Sequence, residues 1–290
     1  MWVYRFNLGL DIDDLLPEFT RVHLVGCGVC GLRFFEPHLA GTEEFYRRLQ
    51  GFEWYYLETR PEFARSAAYT SQKVVLEVGS GRGAAVPHLR PREYVGLEMS
   101  GEAARRARAD GIDVRRQSIS QHAVERPGHY DVVCAFQVLE HIPDVQEFIQ
   151  SCVKCLRPSG TLIFSVPSLD SFIARSPNNA LNLPPHHAVW WSERALRFVP
   201  ECVGVELVDV IHHELEEVHY RWYARIMAEK WLADLIRFRV RPTVDRRSSY
   251  RRLSRISGRI ARLTERRLRG KRPLPAGHTV TAVYRRKEGN

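Results

Sequence analysis

The stretch KVVLEVGSGRG, Lys73–Gly83, is the one from which a fold can be built outward. Val74 to Val78 are mostly β-branched or apolar, as a buried parallel strand requires. The strand runs into Gly79-Ser80-Gly81-Arg82-Gly83, where the missing Cβ atoms let the backbone turn sharply and approach a ligand closely. A helix beginning just beyond would offer free N–H groups to a polar or anionic ligand. Glycine-rich turns also serve plain connections, so this stretch alone does not separate a cofactor loop from a tight turn.

Its downstream neighbours do more. Glu93–Glu98 (EYVGLE) reads as a second strand ending in an acid, about twenty residues after the first glycine, where a nucleotide-binding α/β unit places a carboxylate for ribose hydroxyls. Two cofactors fit this outline. A nicotinamide dinucleotide would use Gly79, Gly81 and Ala84 as G-x-G-x-x-A. S-adenosylmethionine is favoured by the continuous G-x-G-x-G, by Glu77 two residues before it, and by later segments.

Those segments are LEVGSGRG, YVGLEMS, YDVVCAFQVLEHIPD and LRPSGTLIFSVP, in that order. With them the sequence resembles the class I S-adenosylmethionine-dependent methyltransferases, over roughly residues 70–215 plus a last strand near the C-terminus. The resemblance implies an α/β fold: a Rossmann-like, mostly parallel seven-stranded sheet with an antiparallel last strand. It also implies roles. Glu77 and the loop Gly79, Ser80, Gly81 and Gly83 would hold the amino-acid part of the cofactor, Glu98 the ribose hydroxyls, and Met99 the adenine face. Many members carry an Asp after the third strand, whereas Gln117-Ser118 stand here and could bond the adenine through a side-chain or backbone oxygen. Phe136 and Gln137 would line the methionine end.

Strand and helix patterns alternate from Lys73, as a sheet with crossovers demands. Strands are expected at Ile112–Arg115, Tyr130–Phe136, Thr161–Val166, Gly204–His213 and Thr279–Arg285. Ser100 is a candidate N-cap for a helix over Gly101–Asp110, Asp144-Val-Gln-Glu147 a candidate capping box, and Ser192 a third cap. The chain then divides into an N-terminal cap (1–70), a core (71–218 and 273–290) and an insertion before the last strand (219–272).

The cap contains Cys27-Gly-Val-Cys30-Gly-Leu, which has the form of half a zinc knuckle. Some sugar- and glycan-modifying methyltransferases carry a similar ribbon, but its first half is missing here and no metal is assigned. The aromatic run that follows, Glu43–Leu57, has helical spacing at Phe45, Leu49 and Phe52. Tyr46, Trp54, Tyr55 and Tyr56 from the same run could line an acceptor pocket, since rings with a polar tip suit sugar or ring-bearing substrates.

The 290-residue chain is 44% hydrophobic and 27% charged, ordinary values for a soluble globular protein. No apolar run is long enough to span a bilayer, and the first residues lack signal-peptide character. Six cysteines without a regular framework suggest reduced thiols, hence a cytoplasmic setting. The net charge of +9 is concentrated: residues 219–272 hold eighteen Lys and Arg against four acids. Their first half reads as an apolar helix with Trp222, Met227 and Trp231. The second places Leu253, Ile256, Ile260 and Leu263 at helical spacing among arginines. Such a helix either packs its stripe on the core or meets an anionic partner, namely a membrane surface or a phosphorylated substrate. No nucleic-acid-reading motif accompanies it.

Three histidines are candidate catalytic bases: His141, and His186 and His187 in a Pro-Pro-His-His loop after the fifth strand. Neutral imidazole is suited to take a hydroxyl proton, and that loop emerges where ligands of open α/β sheets bind. The expectation is methyl transfer to a hydroxyl of a small or glycan-linked acceptor in sugar, polysaccharide or natural-product biosynthesis. The alternatives are a nicotinamide oxidoreductase and a non-catalytic binding protein on a degenerate fold.

Overall fold

The computed structural model describes residues 2–17, 21–52, 55, 58–270 and 273–288. Its centre is a seven-stranded sheet of β3 (Val74–Val78), β4 (Glu93–Leu97), β5 (Val114–Arg115), β6 (Tyr130–Phe136), β7 (Leu156–Pro167), β9 (Val205–Glu214) and β10 (Ala276–Arg286). The order is β5-β4-β3-β6-β7-β10-β9, and β10 runs antiparallel to both of its neighbours. The pairs β3–β4, β3–β6, β4–β5 and β6–β7 are all parallel. This is the sheet that the resemblance implies.

Residue alternation along the strands assigns the two faces. Val74, Leu76 and Val78, with Val133 and Ala135, bury against α6 (Ile119–Glu125), α7 (Val145–Cys155) and α8 (Glu193–Phe198). Their strand neighbours Val75, Val132, Cys134 and Phe136 face the other way, onto α3 (Pro61–Thr70) and α4 (Val86–Leu89). Both faces being covered explains why β3 is buried at every position. At the edge of the sheet Ala104 and Ala107 of α5 (Gly101–Ala109) pack on Val114.

Several boundaries differ from the sequence pattern. β5 is two residues rather than four. β7 begins at Leu156, because Pro158-Ser159-Gly160 stays within the strand with Ser159 in the left-handed region instead of forming a separate turn. The helix expected over Glu43–Leu57 is α2 (Glu43–Leu49); Trp54 and Tyr56 of that stretch lie outside the described residues. Ser100, Asp144 and Ser192 do cap helices, but Asp144 accepts one bond from Glu147 N without the reciprocal bond of a capping box. The reciprocal pair is Ser118 with Gln121, opening α6.

The N-terminal segment forms α1 (Trp2–Leu8) and a hairpin of β1 (His23–Gly26) and β2 (Arg33–Glu36), which carries Cys27 and Cys30 at its turn. It is not self-contained. β2 pairs with β8 (Val189–Trp190), from the loop after β7, and Tyr4, Phe35 and Phe45 share a core with Leu183 and Trp190. The insertion folds as α9 (Tyr220–Leu235), α10 (Ser248–Thr264) and a short α11 (Arg266–Arg269). Tyr250 and Leu253 of α10 bury with Ala233 of α9, and Ala261 joins Tyr220, Ala224 and Ile226. The α10 stripe is thus partly spent on α9, while Ile256 and Leu263 remain exposed.

Candidate active site

Beyond the carboxyl ends of β3, β4 and β6 lies an open cleft of about 2110 Å³. That is larger than the ~300–1,000 Å³ of an ordinary small-molecule pocket, and leaves room for two reactants. β3 is where the strand order reverses, the position at which open α/β sheets bind ligands. All fourteen site residues named from the sequence line this cleft. They fall into two ends.

The first end is built by the strand termini. Gly79 has φ +74°, and a Cβ there would overlap Val138 Cγ2. Gly83 has φ +80°, and its Cβ would meet Ile112 Cδ1 at 2.6 Å. Only glycine satisfies both demands, so the loop from Gly79 to Gly83 stays close to the sheet and open on its cleft side. Glu98 follows β4 and folds back over this loop: its carboxylate accepts from Gly81 N at 2.9 Å and Ser100 N at 2.8 Å. Burial raises its pKa, against those backbone bonds. Glu77 is fully buried, accepts from the Tyr94 hydroxyl at 2.6 Å, and is pushed up to about 8 by desolvation. Ser80 is buried beside Gly96 of β4, and Met99 stands exposed at the rim.

At the far side of this end the side chains of Gln117 and Ser118 are held by other protein groups. The Gln117 amide bonds His122 Nδ1 at 2.8 Å and Glu125 Oε1 at 2.7 Å, and the Ser118 hydroxyl accepts from Gln121 N at 3.2 Å. The Ser118 hydroxyl is thus engaged in the α6 cap and the Gln117 amide in bonds to His122 and Glu125. Phe136 packs edge-on to Phe63 of α3, 5.2 Å between centroids. Gln137 sits at φ +55° and donates from Nε2 to Glu62 Oε1 at 3.1 Å. Glu62 of α3 is itself buried and raised by desolvation, with Arg60 3.9 Å away.

The donor set fits S-adenosylmethionine. Glu77 and Glu98 line the cleft where a positively charged ligand would lie, the Glu98 carboxylate keeps lone pairs for hydroxyls, and the glycine loop leaves the space a Cβ would fill.

The second end is aromatic and histidine-rich. His141 follows β6, and His186 and His187 follow β7, the latter two only 6% exposed. The rings cluster: His141 to His186 is 4.5 Å and His141 to His187 5.1 Å between centroids. Burial lowers all three pKa values, that of His141 to about 4, so the imidazoles are neutral. The loop is pinned from the cap: Tyr4 donates its hydroxyl to Leu183 O at 2.8 Å and accepts from His186 N at 3.2 Å. Tyr46 and Tyr55 stand over His186 at 6.1 and 6.0 Å between centroids.

Sequence reasoning missed part of this wall. His219 and Trp222 from the start of the insertion, and His278 from β10, complete it; the His219 and His278 rings are 4.6 Å apart. Trp222 carried a signal as the Trp near the start of an apolar helix, but its direction depends on how α9 docks. Arg60 and Glu62 gave none. Cys27 and Cys30 are free thiols outside the cleft. Among the described residues the one cluster of three His, Cys, Asp or Glu ligand atoms is His141, His186 and His187, so the cysteine pair has no third ligand beside it.

Compared with known proteins, residues 53–210 match the family model described as "Methyltransferase domain". The chain is 30% identical over 138 residues to ubiquinone biosynthesis O-methyltransferase of Nitrosomonas europaea, covering 45% of this chain and 54% of that protein. It is 36% identical over 101 residues to the protein of that name from Pectobacterium carotovorum, covering 32% and 42%. The chain thus spans about half the length of the curated relatives it matches. Among solved structures it resembles a chain of the complex between the Haloferax volcanii Trm112 methyltransferase activator and a methyltransferase, with TM-score 0.51, 14% identity, and 83% and 95% of the two chains covered. At that identity the likeness speaks for the fold.

Proposed function

The chain belongs to the methyltransferase domain family, with S-adenosylmethionine as its methyl donor, and from that premise we propose that it methylates an oxygen of a small acceptor bound at the histidine end of the cleft. The observation that carries this reading is the single cleft with two unlike ends. A glycine-lined end with Glu77 and Glu98 suits the donor, and a neutral, ring-lined end suits an acceptor. Oxygen as the acceptor atom is supported by the name of the curated relatives, O-methyltransferase.

When bound, S-adenosylmethionine supplies a sulfonium methyl group that passes to a nucleophile by in-line displacement, so the enzyme's task is mostly positioning. Glu98 takes the ribose hydroxyls, the Gly79–Gly83 backbone and Glu77 take the amino-acid portion, and Met99 covers the adenine. Phe136 and Gln137 line the passage between the ends. His141, His186 or His187 accepts the acceptor's proton as the new bond forms, a role open to a neutral imidazole. Tyr46, Tyr55 and Trp222 exclude water and offer faces to a ring-bearing substrate, which supports a sugar, glycan or natural-product acceptor.

The basic insertion has a part outside the cleft. Arg251, Arg252, Arg255 and Arg259 on α10 make no ion pair among the described residues, and Ile256 is exposed between them. Charge and apolar surface side by side support docking of α10 on an anionic membrane surface. No helix among the described residues is long and apolar enough to cross a membrane.

The test of the enzymatic reading is incubation with methyl-labelled donor and a panel of hydroxylated sugars, glycolipids and phenols. Label in an ether of one acceptor, with S-adenosylhomocysteine formed in equal amount, is the expected result. Label on nitrogen or carbon alone would overturn the choice of oxygen.

A further inference from the structure

The three histidines share a feature that a base does not need. His141 donates from Nδ1 to His186 O at 2.6 Å and His186 donates from Nδ1 to Leu181 O at 2.8 Å. His187 donates from Nδ1 to Asn182 Oδ1 at 3.1 Å. Carbonyl oxygens only accept, so each Nδ1 carries the proton and each Nε2 keeps its lone pair, that of His186 facing the Tyr55 hydroxyl. Three imidazoles in the same tautomer, each held by an oxygen on its far nitrogen, is the arrangement that orients histidine ligands around a metal.

A carboxylate lies beside two of the three. Glu140 is 2% exposed, and its Oε1 lies 3.9 Å from His141 Nε2 and 4.0 Å from His187 Nε2. Its other oxygen, Oε2, is buried with no hydrogen-bond partner. A buried acid with an orphaned oxygen, against nitrogens that cannot donate to it, is a costly assembly when nothing lies between them. The histidine ligand atoms all lie within 4.8 Å of one another. Bonds of about 2.0–2.1 Å to a central ion place tetrahedral nitrogens about 3.4 Å apart, so a contraction of roughly an ångström closes the site.

We propose that His141, His186 and His187, with Glu140, bind a divalent first-row transition metal through three Nε2 atoms and one carboxylate oxygen. Imidazole nitrogens with a single carboxylate favour ions of the zinc, iron and cobalt type over magnesium or calcium, which take oxygen ligands. The cation's role, though not its binding, rests on the reading of this end as the acceptor end. A hydroxyl oxygen on the cation loses its proton to solvent more readily, and the imidazoles then act as ligands rather than as the base. Tyr55, whose hydroxyl is 3.4 Å from His186 Nε2, would yield that nitrogen to the ion.

The test uses full-length protein without a histidine tag, stripped by chelator and titrated with Co2+. The expected result is one equivalent bound, with a visible absorption that Zn2+ abolishes. His187→Ala and Glu140→Gln should weaken Co2+ at least ten-fold. Asn182→Ala, which frees the His187 ring without touching the ion, should cost about ten-fold. Cys27→Ser/Cys30→Ser should change nothing. Calorimetry with S-adenosylhomocysteine on each variant reports folding, and where His187→Ala fails that check, Asn182→Ala and Glu140→Gln carry the test. No absorption, or one that survives the histidine-site variants and disappears in the cysteine variant, overturns the site. Donor binding without Co2+ removes the metal and leaves the methyltransferase reading. Co2+ binding without donor binding does the reverse.

Discussion

The two ends of the cleft are assembled in opposite ways. The donor end comes from the tips of adjacent strands and the turns directly after them: Gly79–Gly83 after β3, Glu98 after β4, Phe136 and Gln137 at the end of β6. Its groups are close in sequence to the sheet that holds them. The histidine end draws on the cap, the loop after β7, the first helix of the insertion and the start of β10, and its imidazoles are neutral. Chemistry common to a family can be written into strand ends. The histidine end is left to segments that meet only in the folded state.

If that division holds, changes at the donor end should move donor affinity steeply and changes elsewhere should leave it alone. The largest effect is expected for Gly79→Ala. At φ +74° with the new Cβ overlapping Val138 Cγ2, both strain and overlap fall on the loop, and S-adenosylhomocysteine binding should drop more than a hundred-fold, for a cost of about 3 kcal/mol or more. Binding within ten-fold of wild type would show that the loop does not touch the donor. Glu98→Ala comes next. Losing a charged acceptor for hydroxyls should cost about 1.5–3 kcal/mol, roughly ten- to a hundred-fold in affinity by calorimetry; unchanged affinity removes the ribose assignment.

A pH effect sharpens the same end. Glu77 is raised to about 8 in the free protein, so it is protonated at neutral pH. An ammonium-bearing ligand favours its carboxylate, and affinity should climb by up to about ten-fold per unit as pH rises toward 8. Folding runs the other way: the raised pKa means that the native state binds the extra proton, so this group's contribution is present below about 4.5 and is lost as pH rises to about 8. Glu140, also pushed up to about 8, adds to the second trend, so the comparison is wild type against Glu77→Gln. A Glu77→Gln variant whose affinity keeps the wild-type pH slope would contradict the assignment.

The smallest effect lies farthest away. Arg255→Ala on α10 should weaken sedimentation with anionic vesicles about five-fold, near 1 kcal/mol for one arginine, and leave donor affinity unchanged. If wild-type protein never sediments with such vesicles, the docking of α10 is wrong.

The same division sets how far the chain could be read in advance. β3, its glycines, the Glu98 acid and the limits of β6 are local patterns of burial and turn chemistry, and the structure has them in place. The pairing of β2 with β8, the Tyr4 bonds that hold the histidine loop, and the Gln137–Glu62 bond join residues 75 to 182 positions apart. No local periodicity encodes such contacts. Ser118-x-x-Gln121 shows a third case: the capping box was there to be read, but a ligand role was expected of a hydroxyl that a helix already uses.

The most direct measurement is calorimetric titration of the full chain with S-adenosylhomocysteine, with NADH run beside it. The account predicts saturable one-to-one binding of S-adenosylhomocysteine and none of NADH. Binding of NADH instead, or of neither, would contradict it.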